Sequence, residues 1–335
     1  MPTHKFSLIN ATDNHVCRSK IGMPRKPAWY PSEASATWTD ENGEKRTEGQ
    51  CMRSAYFRYT GLCKDMKLET TPYSEWIFAL GKHVEIILVE YWKEMGLWVD
   101  NNLKFYDKER DISGEIDCLI HDPNTGELIL VEVKSIYGYA GVKQVCGNKS
   151  TKASPKTSQM MQLMIYLDQF KDIVSYGKLV YYARDSAARN EFDISLVLDA
   201  SDPQKPVHRP TIDGVIDYRF TLEDMYERYA KLAEHVKAGI IPDGDYEKVW
   251  SKEKVERRNL LGEVAKTTYA KWKKNPGKNQ IGDWMCNYCR NSLVCLKQDG
   301  TQRNEYEILE YLKSQGVDTG LEVQLDKNDT ILEIE

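Results

Sequence analysis

The sequence predicts an α/β fold in which helices flank a mixed central β-sheet. Three observations lead to it: a long amphipathic helix near residues 74–95, two strands joined by a tight turn over residues 112–135, and alternating helical and strand patterns after them. The chain has 335 residues, 41% hydrophobic and 29% charged. That is enough apolar material for one large domain or two modest ones.

The chain before the two hairpin strands predicts two helices, which follow a first segment with little regular structure. Residues 1–48, rich in Pro, Ser and Thr, predict a weakly structured entry or a small hairpin. Helical spacing begins at Cys51 and ends at Gly61. The clearest helix covers residues 74–95, behind a Ser74 cap. Its predicted apolar stripe consists of Ile77, Leu80, Val84, Ile87, Leu88 and Tyr91.

The centre of the predicted sheet is a hairpin, preceded by a strand near residues 103–108. Its strands run from Ile112 to Ile120 and from Leu128 to Ser135, and Asp-Pro-Asn-Thr-Gly between them is strong turn chemistry. The later patterns predict a loop to about 156, a helix at 157–171, strands at 178–184, 191–198 and 215–220, helices near 222–238 and 252–274, and a short helix and a strand within 300–335.

Composition narrows the class of protein. No apolar run approaches the roughly 20 residues of a membrane span, and the first residues do not resemble a signal segment. We therefore expect a soluble cytoplasmic protein, in a prokaryotic or phage-encoded setting, with no membrane partner. In that compartment thiols stay reduced, so the eight cysteines are candidates for metal ligands or core residues rather than disulfides.

The net charge is −5, and the charged residues are unevenly distributed along the chain. Residues 305–335 carry nine Asp and Glu against two Lys, so the rest of the chain has a small positive excess. Two lysine groups stand out there: Lys143, Lys149, Lys152 and Lys156, then Lys266, Lys271, Lys273, Lys274 and Lys278 with Tyr269 and Trp272 interleaved. Each group is a candidate phosphate-binding surface, and each also fits an ordinary solvated loop or helix face.

Charged residues interrupt the apolar strands of the hairpin. Asp117 lies six residues before Pro123, and Glu132 lies six residues after Gly126, so the hairpin can place the two carboxylates side by side. Carboxylates so close repel unless a divalent cation lies between them. Lys134 shares the strand face of Glu132 and can activate a water or stabilise charge on phosphorus. An exposed hairpin with a simple Glu–Lys pair is the alternative.

Gly114-x-x-Asp117 followed by Glu132-Val133-Lys134 resembles the signature of the PD-(D/E)xK nuclease superfamily, although Ile116 stands where the superfamily's name has proline. The resemblance implies a restriction-endonuclease-like core in which Asp117, Glu132 and the Val133 carbonyl hold Mg²⁺ or Mn²⁺. Two further features are similar to RecB-like members. These are His83 on the long helix, which the resemblance makes a metal ligand, and Gln162-x-x-x-Tyr166 after the hairpin, which it assigns to orienting Lys134 and the strand.

Cysteines near the end of the chain extend the resemblance. Cys286-x2-Cys289-x5-Cys295 supplies three thiolates, and a closed metal site needs a fourth ligand. Iron–sulfur RecB-like nucleases, such as the CRISPR-adaptation exonucleases and the AddB nuclease domain, place one cysteine before the core and three after it. That pattern implies Cys51 as the fourth ligand of a [4Fe–4S] cluster, with Cys63 as a rival and zinc as an alternative metal.

These observations predict a metal-dependent DNA exonuclease acting on single-stranded DNA or DNA ends, in recombination, repair or phage DNA processing. Its predicted parts are an N-terminal extension (1–48), a nuclease domain (49–299) and an acidic tail (300–335) open to a protein partner. Two alternatives stay open. One is a non-catalytic iron–sulfur module that binds DNA or recruits a partner, and the other is a nuclease that cuts only within a larger complex.

Overall fold

The computed structural model describes residues 7–18, 27–63, 72–317 and 319. The chain divides into two compact units. The first, called here the sheet unit, consists of Met1–Gln50 and Glu69–Lys231. The second, called the cysteine unit, consists of Cys51–Leu68 and Leu232–Glu335. The segments of the two units alternate along the chain, so only Glu69–Lys231 of the sheet unit lies, in chain order, between the two segments of the cysteine unit.

The sheet unit contains the predicted mixed sheet. Its helices are α1 (Leu8–Arg18), α3 (Pro72–Glu94), α4 (Gly138–Cys146), α5 (Thr157–Gln169) and most of α6 (Leu222–Ala238). A hairpin of β1 (Ser35–Thr39) and β2 (Lys45–Gly49) precedes the central strands. The central strands are β3 (Trp98–Asp107), β4 (Ile112–His121), β5 (Leu128–Ile136), β6 (Tyr176–Ala183), β7 (Arg189–Asp199), β8 (Val207–Ile212) and β9 (Val215–Ile216).

The seven central strands lie in the sheet in chain order, β3 to β9. Each neighbouring pair is antiparallel except β5 and β6, which are parallel. A parallel pair needs a crossover, and α4 and α5 supply it. The α/β prediction, with a mixed central sheet and flanking helices, is confirmed.

Helix α5 is the buried centre of the sheet unit. Every residue from Met160 to Leu167 is buried, which explains the almost uninterrupted apolar run MMQLMIYL. Gln162 is the polar exception within that run and is 8% exposed. A buried amide must find hydrogen-bond partners, so its surroundings are a place to look for function.

The cysteine unit is built from short helices. These are α2 (Met52–Thr60), the end of α6, α7 (Lys252–Leu260), α8 (Lys266–Lys274), α9 (Trp284–Asn287), α10 (Ser292–Cys295) and α11 (Glu305–Ser314). On α8, Trp272 is buried and its ring stacks on Tyr269 with centroids 5.6 Å apart. These two aromatic residues therefore support the helix rather than present an open stacking surface.

Several predicted boundaries differ from the structure. Helix α3 begins at Pro72, so Ser74 is not its cap. Residues 138–146, predicted as loop, form α4. The strand predicted at 215–220 is present only as the two-residue β9, whereas β8 was not predicted because it contains Pro210, a residue that normally opposes a strand. The helix predicted at 252–274 is two helices separated by a turn at Gly262.

At the two ends of the chain, helix α1 was not predicted, whereas the small hairpin before residue 48 was. The predicted short helix in the tail is α11. The strand predicted there falls on residues outside the described part of the chain.

Only part of the apolar stripe predicted on α3 is buried in the structure. Leu88 is buried, but Leu80, Ile87 and Tyr91 are each more than half exposed. The side facing the sheet carries two members of the predicted stripe, the buried Leu88 and the partly buried Val84, together with Val89, and these pack in one core cluster with residues of β4 and β5. No helix in the described residues is long and apolar enough to cross a membrane.

Candidate active site and cysteine group

The backbone ladder between β4 and β5 ends where the candidate site begins. The last paired residues are Cys118 and Val131. Just beyond that pair, the Val133 amide donates a hydrogen bond to Asp117 Oδ2 over 2.8 Å. The Asp117 carboxylate thus takes a backbone donor from the neighbouring strand, which fixes it beside Glu132 and Lys134.

Lys134, Glu132 and Gln162 form a closed side-chain network. Lys134 Nζ donates to Glu132 Oε1 over 2.5 Å and to Gln162 Oε1 over 3.0 Å. Gln162 Nε2 donates to Glu132 Oε1 over 2.7 Å and to Tyr166 Oη over 2.9 Å. The i, i+4 spacing on α5 therefore places the amide and the phenol on one helix face, as the sequence predicts.

Glycine at position 114 allows α5 to approach the strand. A Cβ on Gly114 would lie 2.4 Å from the ring of Phe105 and 2.9 Å from the ring of Tyr166. Those two rings pack edge to face, with centroids 5.9 Å apart. The glycine of the Gly-x-x-Asp pattern thus keeps Tyr166 close to β4.

Burial makes this network electrostatically unusual. The pKa of Asp117 is raised well above its ordinary value, first by burial and then by the negative charge of Glu132, against the opposing effects of Lys134 and the Val133 amide. Burial also raises the pKa of Glu132, although Lys134 opposes it. For Lys134, burial lowers the pKa, but Glu132 and Asp117 outweigh it and raise the pKa above its ordinary value.

One oxygen of the network has no partner within the part of the chain that the structure describes. Glu132 is 1% exposed, and its Oε2 atom is buried without a hydrogen bond to any described residue. An unsatisfied carboxylate oxygen beside a second carboxylate is costly, and a bound cation would satisfy both. Mg²⁺ is commonly held by one or two carboxylates with water and phosphate oxygens completing its shell, so Asp117 and Glu132 fit a hard divalent cation.

The long helix contributes Glu85 rather than His83 to this electrostatic field. The negative charge of Glu85 adds to the raised pKa of Asp117 and of Lys134. His83 is exposed, and its Nδ1 lies 2.8 Å from the Ala79 carbonyl oxygen. Among described residues, no hydrogen bond or ion pair joins His83 to Asp117 or Glu132. Its role as a metal ligand stays a prediction, as does that of the Val133 carbonyl.

Glu85 was missed from the sequence although a signal was present. It lies three and four residues before the buried pair Leu88 and Val89, so it shares their face of α3. Lys82 Nζ is 2.5 Å from Glu85 Oε1, and the charge of Lys82 lowers the pKa of Glu132. An acidic residue on the sheet-facing side of α3 departs from the expected apolar pattern, as Glu132 does on β5.

The four predicted cysteine ligands all lie in the cysteine unit. Cys51 is the residue before α2, Cys286 lies in α9, Cys289 follows α9, and Cys295 ends α10. Burial raises the pKa of Cys51 to about 11. Burial also raises the pKa of Cys286 to about 12, with added repulsion from Cys51, Cys289 and Cys295.

Cys63 belongs to the same neighbourhood. Burial raises its pKa to about 12, with further contributions from Cys289 and Cys295. Five thiols from two distant parts of the chain therefore affect one another. In the described residues, however, no group of three or more His, Cys, Asp or Glu side chains is arranged so that it could hold a metal ion.

Arg53 links this group to its surroundings. It is 2% exposed, and its Nη1 lies 3.3 Å from Cys295 Sγ and 2.9 Å from the Arg303 carbonyl oxygen. Its Nε donates to the Pro242 carbonyl over 2.7 Å. These partners leave the guanidinium unavailable to a phosphate, so Arg53 supports the cysteine unit.

Comparisons with known proteins identify no family. No protein-family model matches the chain, and no curated protein does. A solved structure titled "Crystal structure of SSO0001" is 15% identical, covers 87% of this chain and 96% of its own, and has a TM-score of 0.38. At that similarity, no property of that protein is transferred to this one.

Proposed function

We propose that this chain is a divalent-metal-dependent deoxyribonuclease with a RecB-like, restriction-endonuclease-like core. One observation carries the proposal. The buried network of Glu132, Lys134 and Gln162 lies beside Asp117 and leaves one carboxylate oxygen of Glu132 without a partner among the described residues. A surface ion pair would be exposed and would need none of these buried partners.

Each residue of the network has a proposed task. Asp117 and Glu132 hold Mg²⁺ or Mn²⁺, which when bound would polarise a phosphate oxygen and acidify water. Lys134 stays protonated beside Glu132 and donates toward the attacked phosphate or its water. Gln162 holds Lys134 in place, and Tyr166 Oη accepts from Gln162. Water adds to phosphorus, and the bond to one bridging oxygen breaks.

The cysteine unit has a separate proposed role. Cys51, Cys286, Cys289 and Cys295 would hold a [4Fe–4S] cluster, with zinc as the alternative, and would thereby connect the two segments of that unit. The shared neighbourhood of the thiols supports this role. Thiolates are the ligands that both kinds of centre use.

The decisive experiment is cleavage of end-labelled single-stranded DNA with Mn²⁺ by anaerobically purified protein. Lys134→Met should lower the rate by about 10³-fold, because it removes the cation of the network. Lys178→Met is the matched control, since Lys178 is also a strand lysine paired with two carboxylates, at 3.0 Å from Glu191 and 2.6 Å from Asp193. It should cleave at the wild-type rate.

The same experiment separates the alternatives. Equal inactivity of wild type and Lys134→Met, in protein that binds DNA but not Mn²⁺, would favour the non-catalytic module. Cleavage that appears only when a partner protein is added would indicate a nuclease that works within a complex.

A further inference from the structure

Two large aromatic side chains project into solvent immediately after the strand that carries Lys134. Tyr137 is 60% exposed and Tyr139 is 76% exposed. Tyr137 directly follows Ile136, the last residue of β5, and precedes α4. Exposed rings add nothing to the core, and these two follow Lys134 by only three and five residues along the chain, where they are accessible to a ligand.

The turn between the two tyrosines is fixed rather than loose. Gly138 has φ +75°, a conformation that favours glycine, and a Cβ there would meet open space. Its amide donates to Asp185 Oδ2 over 2.9 Å. The guanidinium of Arg184 lies 5.9 Å from the Tyr137 ring centroid. These contacts hold the tyrosines at the end of β5.

The chain segment that contains the tyrosines carries lysines but no acidic residue of its own, and Asp185 is the carboxylate that another segment places at Gly138. From residue 135 to residue 167 there is no Asp or Glu, although four lysines occur. Lys149 and Lys152 are exposed, and Lys143 is partly so. Among the residues that the structure describes, none of these three has an ion-pair partner. Their charges are therefore available to an anion.

The lysine segment is also ordered by its own backbone. The Asn148 amide donates to the Thr151 carbonyl over 2.9 Å, and the Ser154 amide donates to the Gln144 carbonyl over 2.9 Å. Asn148 Oδ1 accepts from both the amide and the hydroxyl of Ser150. A surface that is already folded loses less entropy when it binds.

We propose that Tyr137 and Tyr139, together with Lys143, Lys149 and Lys152, form a platform for single-stranded DNA. Unpaired bases stack on the two rings, and the lysines neutralise the phosphates that follow. Base faces are accessible in this way only when the strand is unpaired, so the platform selects single strands over duplexes. The inference rests on the proposed nuclease function and specifies the form of its substrate.

The test measures binding rather than cleavage. A fluorescent oligo-dT is titrated with the full-length protein in EDTA, which prevents metal-dependent cleavage. The double variant Tyr137→Leu/Tyr139→Leu should bind at least about 10-fold more weakly, since each stacked base contributes measurably. Tyr106→Leu, which alters another exposed tyrosine in the sheet unit at 59% exposure, should bind as wild type does.

The salt dependence of DNA binding tests whether the three lysines contact phosphates. Replacing Lys143, Lys149 and Lys152 with glutamine should reduce the slope of log affinity against log salt by about 2, because each phosphate that a lysine neutralises on a single strand accounts for roughly 0.7 of that slope. Thermal unfolding of each variant distinguishes a defect in binding from a defect in folding.

Several outcomes would overturn the platform. These are wild-type affinity in the double tyrosine variant, a preference of wild type for duplex DNA, and binding of polyglutamate that needs the lysines but not the rings. If wild type cleaves DNA yet the tyrosine variant binds normally, the nuclease stands and the platform falls. If binding needs the tyrosines but nothing is cleaved, the platform stands and the nuclease falls.

Discussion

The carboxylate site and the cysteine group both concentrate acidic groups, but they handle the resulting charge differently. At the carboxylate site, Lys134 lies against Glu132 and supplies a permanent positive charge. In the cysteine group, burial raises the pKa of Cys51 to about 11 and of Cys286 to about 12, so these thiols are neutral at roughly neutral pH. Metal binding at the thiols must therefore displace protons, whereas a cation at the carboxylates chiefly relieves repulsion.

For the metals proposed above, the difference indicates which region would depend more on its metal for folding. Neutral thiols can be buried without the cost of burying a charge, but they form few strong bonds unless a metal binds them. The carboxylate network is hydrogen-bonded within itself and needs a cation for only one unsatisfied oxygen among its described atoms. Loss of a metal should therefore destabilise the cysteine unit more than the sheet unit.

The largest expected effect comes from Cys51→Ser. Removing one of the four proposed ligands should abolish iron or zinc in purified protein and lower the free energy of unfolding by about 3 kcal/mol or more, as expected for loss of a tightly bound ligand. Metal analysis, the visible absorption spectrum and denaturant unfolding measure these changes. Cys146→Ser, which alters a partly exposed thiol of the sheet unit, should change neither metal content nor stability. Full metal content in Cys51→Ser would remove Cys51 from the ligand set.

An intermediate effect, opposite in sign, is expected for Asp117→Asn. Because the pKa of Asp117 is raised in the folded protein, its contribution to stability is present below the unfolded pKa of about 4 and is lost as pH rises through the folded pKa. The side-chain amide of the variant does not ionise, so the variant does not lose this stability as pH rises. At about pH 8 the variant should be more stable than wild type by roughly 1 kcal/mol, and near about pH 3.5 the two should converge.

Thermal unfolding with Mg²⁺ or Mn²⁺ sharpens this expectation. The cation should stabilise wild type but not Asp117→Asn. Asp172→Asn, at an exposed position, should follow wild type at every pH and metal concentration. If Asp117→Asn destabilises the protein at alkaline pH, the raised pKa is not the dominant influence at this position.

The last comparison concerns metal affinity rather than folding, and it separates Glu85 from His83. Since Glu85 acts electrostatically on Asp117, Glu132 and Lys134, Glu85→Gln should weaken Mn²⁺ binding by about 10-fold, as changes around a metal site commonly do. His83→Gln should change it less than about 3-fold. Isothermal titration with Mn²⁺ gives both values. The reverse order would restore His83 as the ligand that the resemblance implies.

The hairpin and the Gln-Tyr pair could be predicted from sequence because both depend on local rules. The Asp-Pro-Asn-Thr-Gly turn sets the strands, and spacing of four residues brings Gln162 and Tyr166 onto one helix face. The proximity of Cys51 to the C-terminal cysteines could not be predicted from local rules. Residues so far apart are joined by tertiary packing, so only a resemblance could suggest their proximity.

Other features escaped prediction for identifiable reasons. Strand β8 contains Pro210, which local propensity excludes, yet the sheet accepts it next to the very short β9. Helix α3 has apolar residues on more than one side, so periodicity alone combined the buried Leu88 with exposed residues such as Leu80 and Ile87 in one stripe, and Glu85 beside Leu88 was overlooked. Tyr137 and Tyr139 look like strand residues, and only their exposure in the folded chain distinguishes them.

The central sheet lies, in chain order, between the two segments of the cysteine unit, and this order has a consequence for synthesis. Ribosomes add about 5–20 residues per second, so roughly 10 to 50 seconds separate the appearance of Cys51 from that of Cys286. Asp245, whose amide donates to Cys51 Sγ, is also made late. All described strands of the central sheet are complete before either arrives. The nascent chain therefore carries the Cys51 thiol without the C-terminal cysteines while the sheet forms, so a metal bound by all of the proposed cysteine ligands would load only late in maturation.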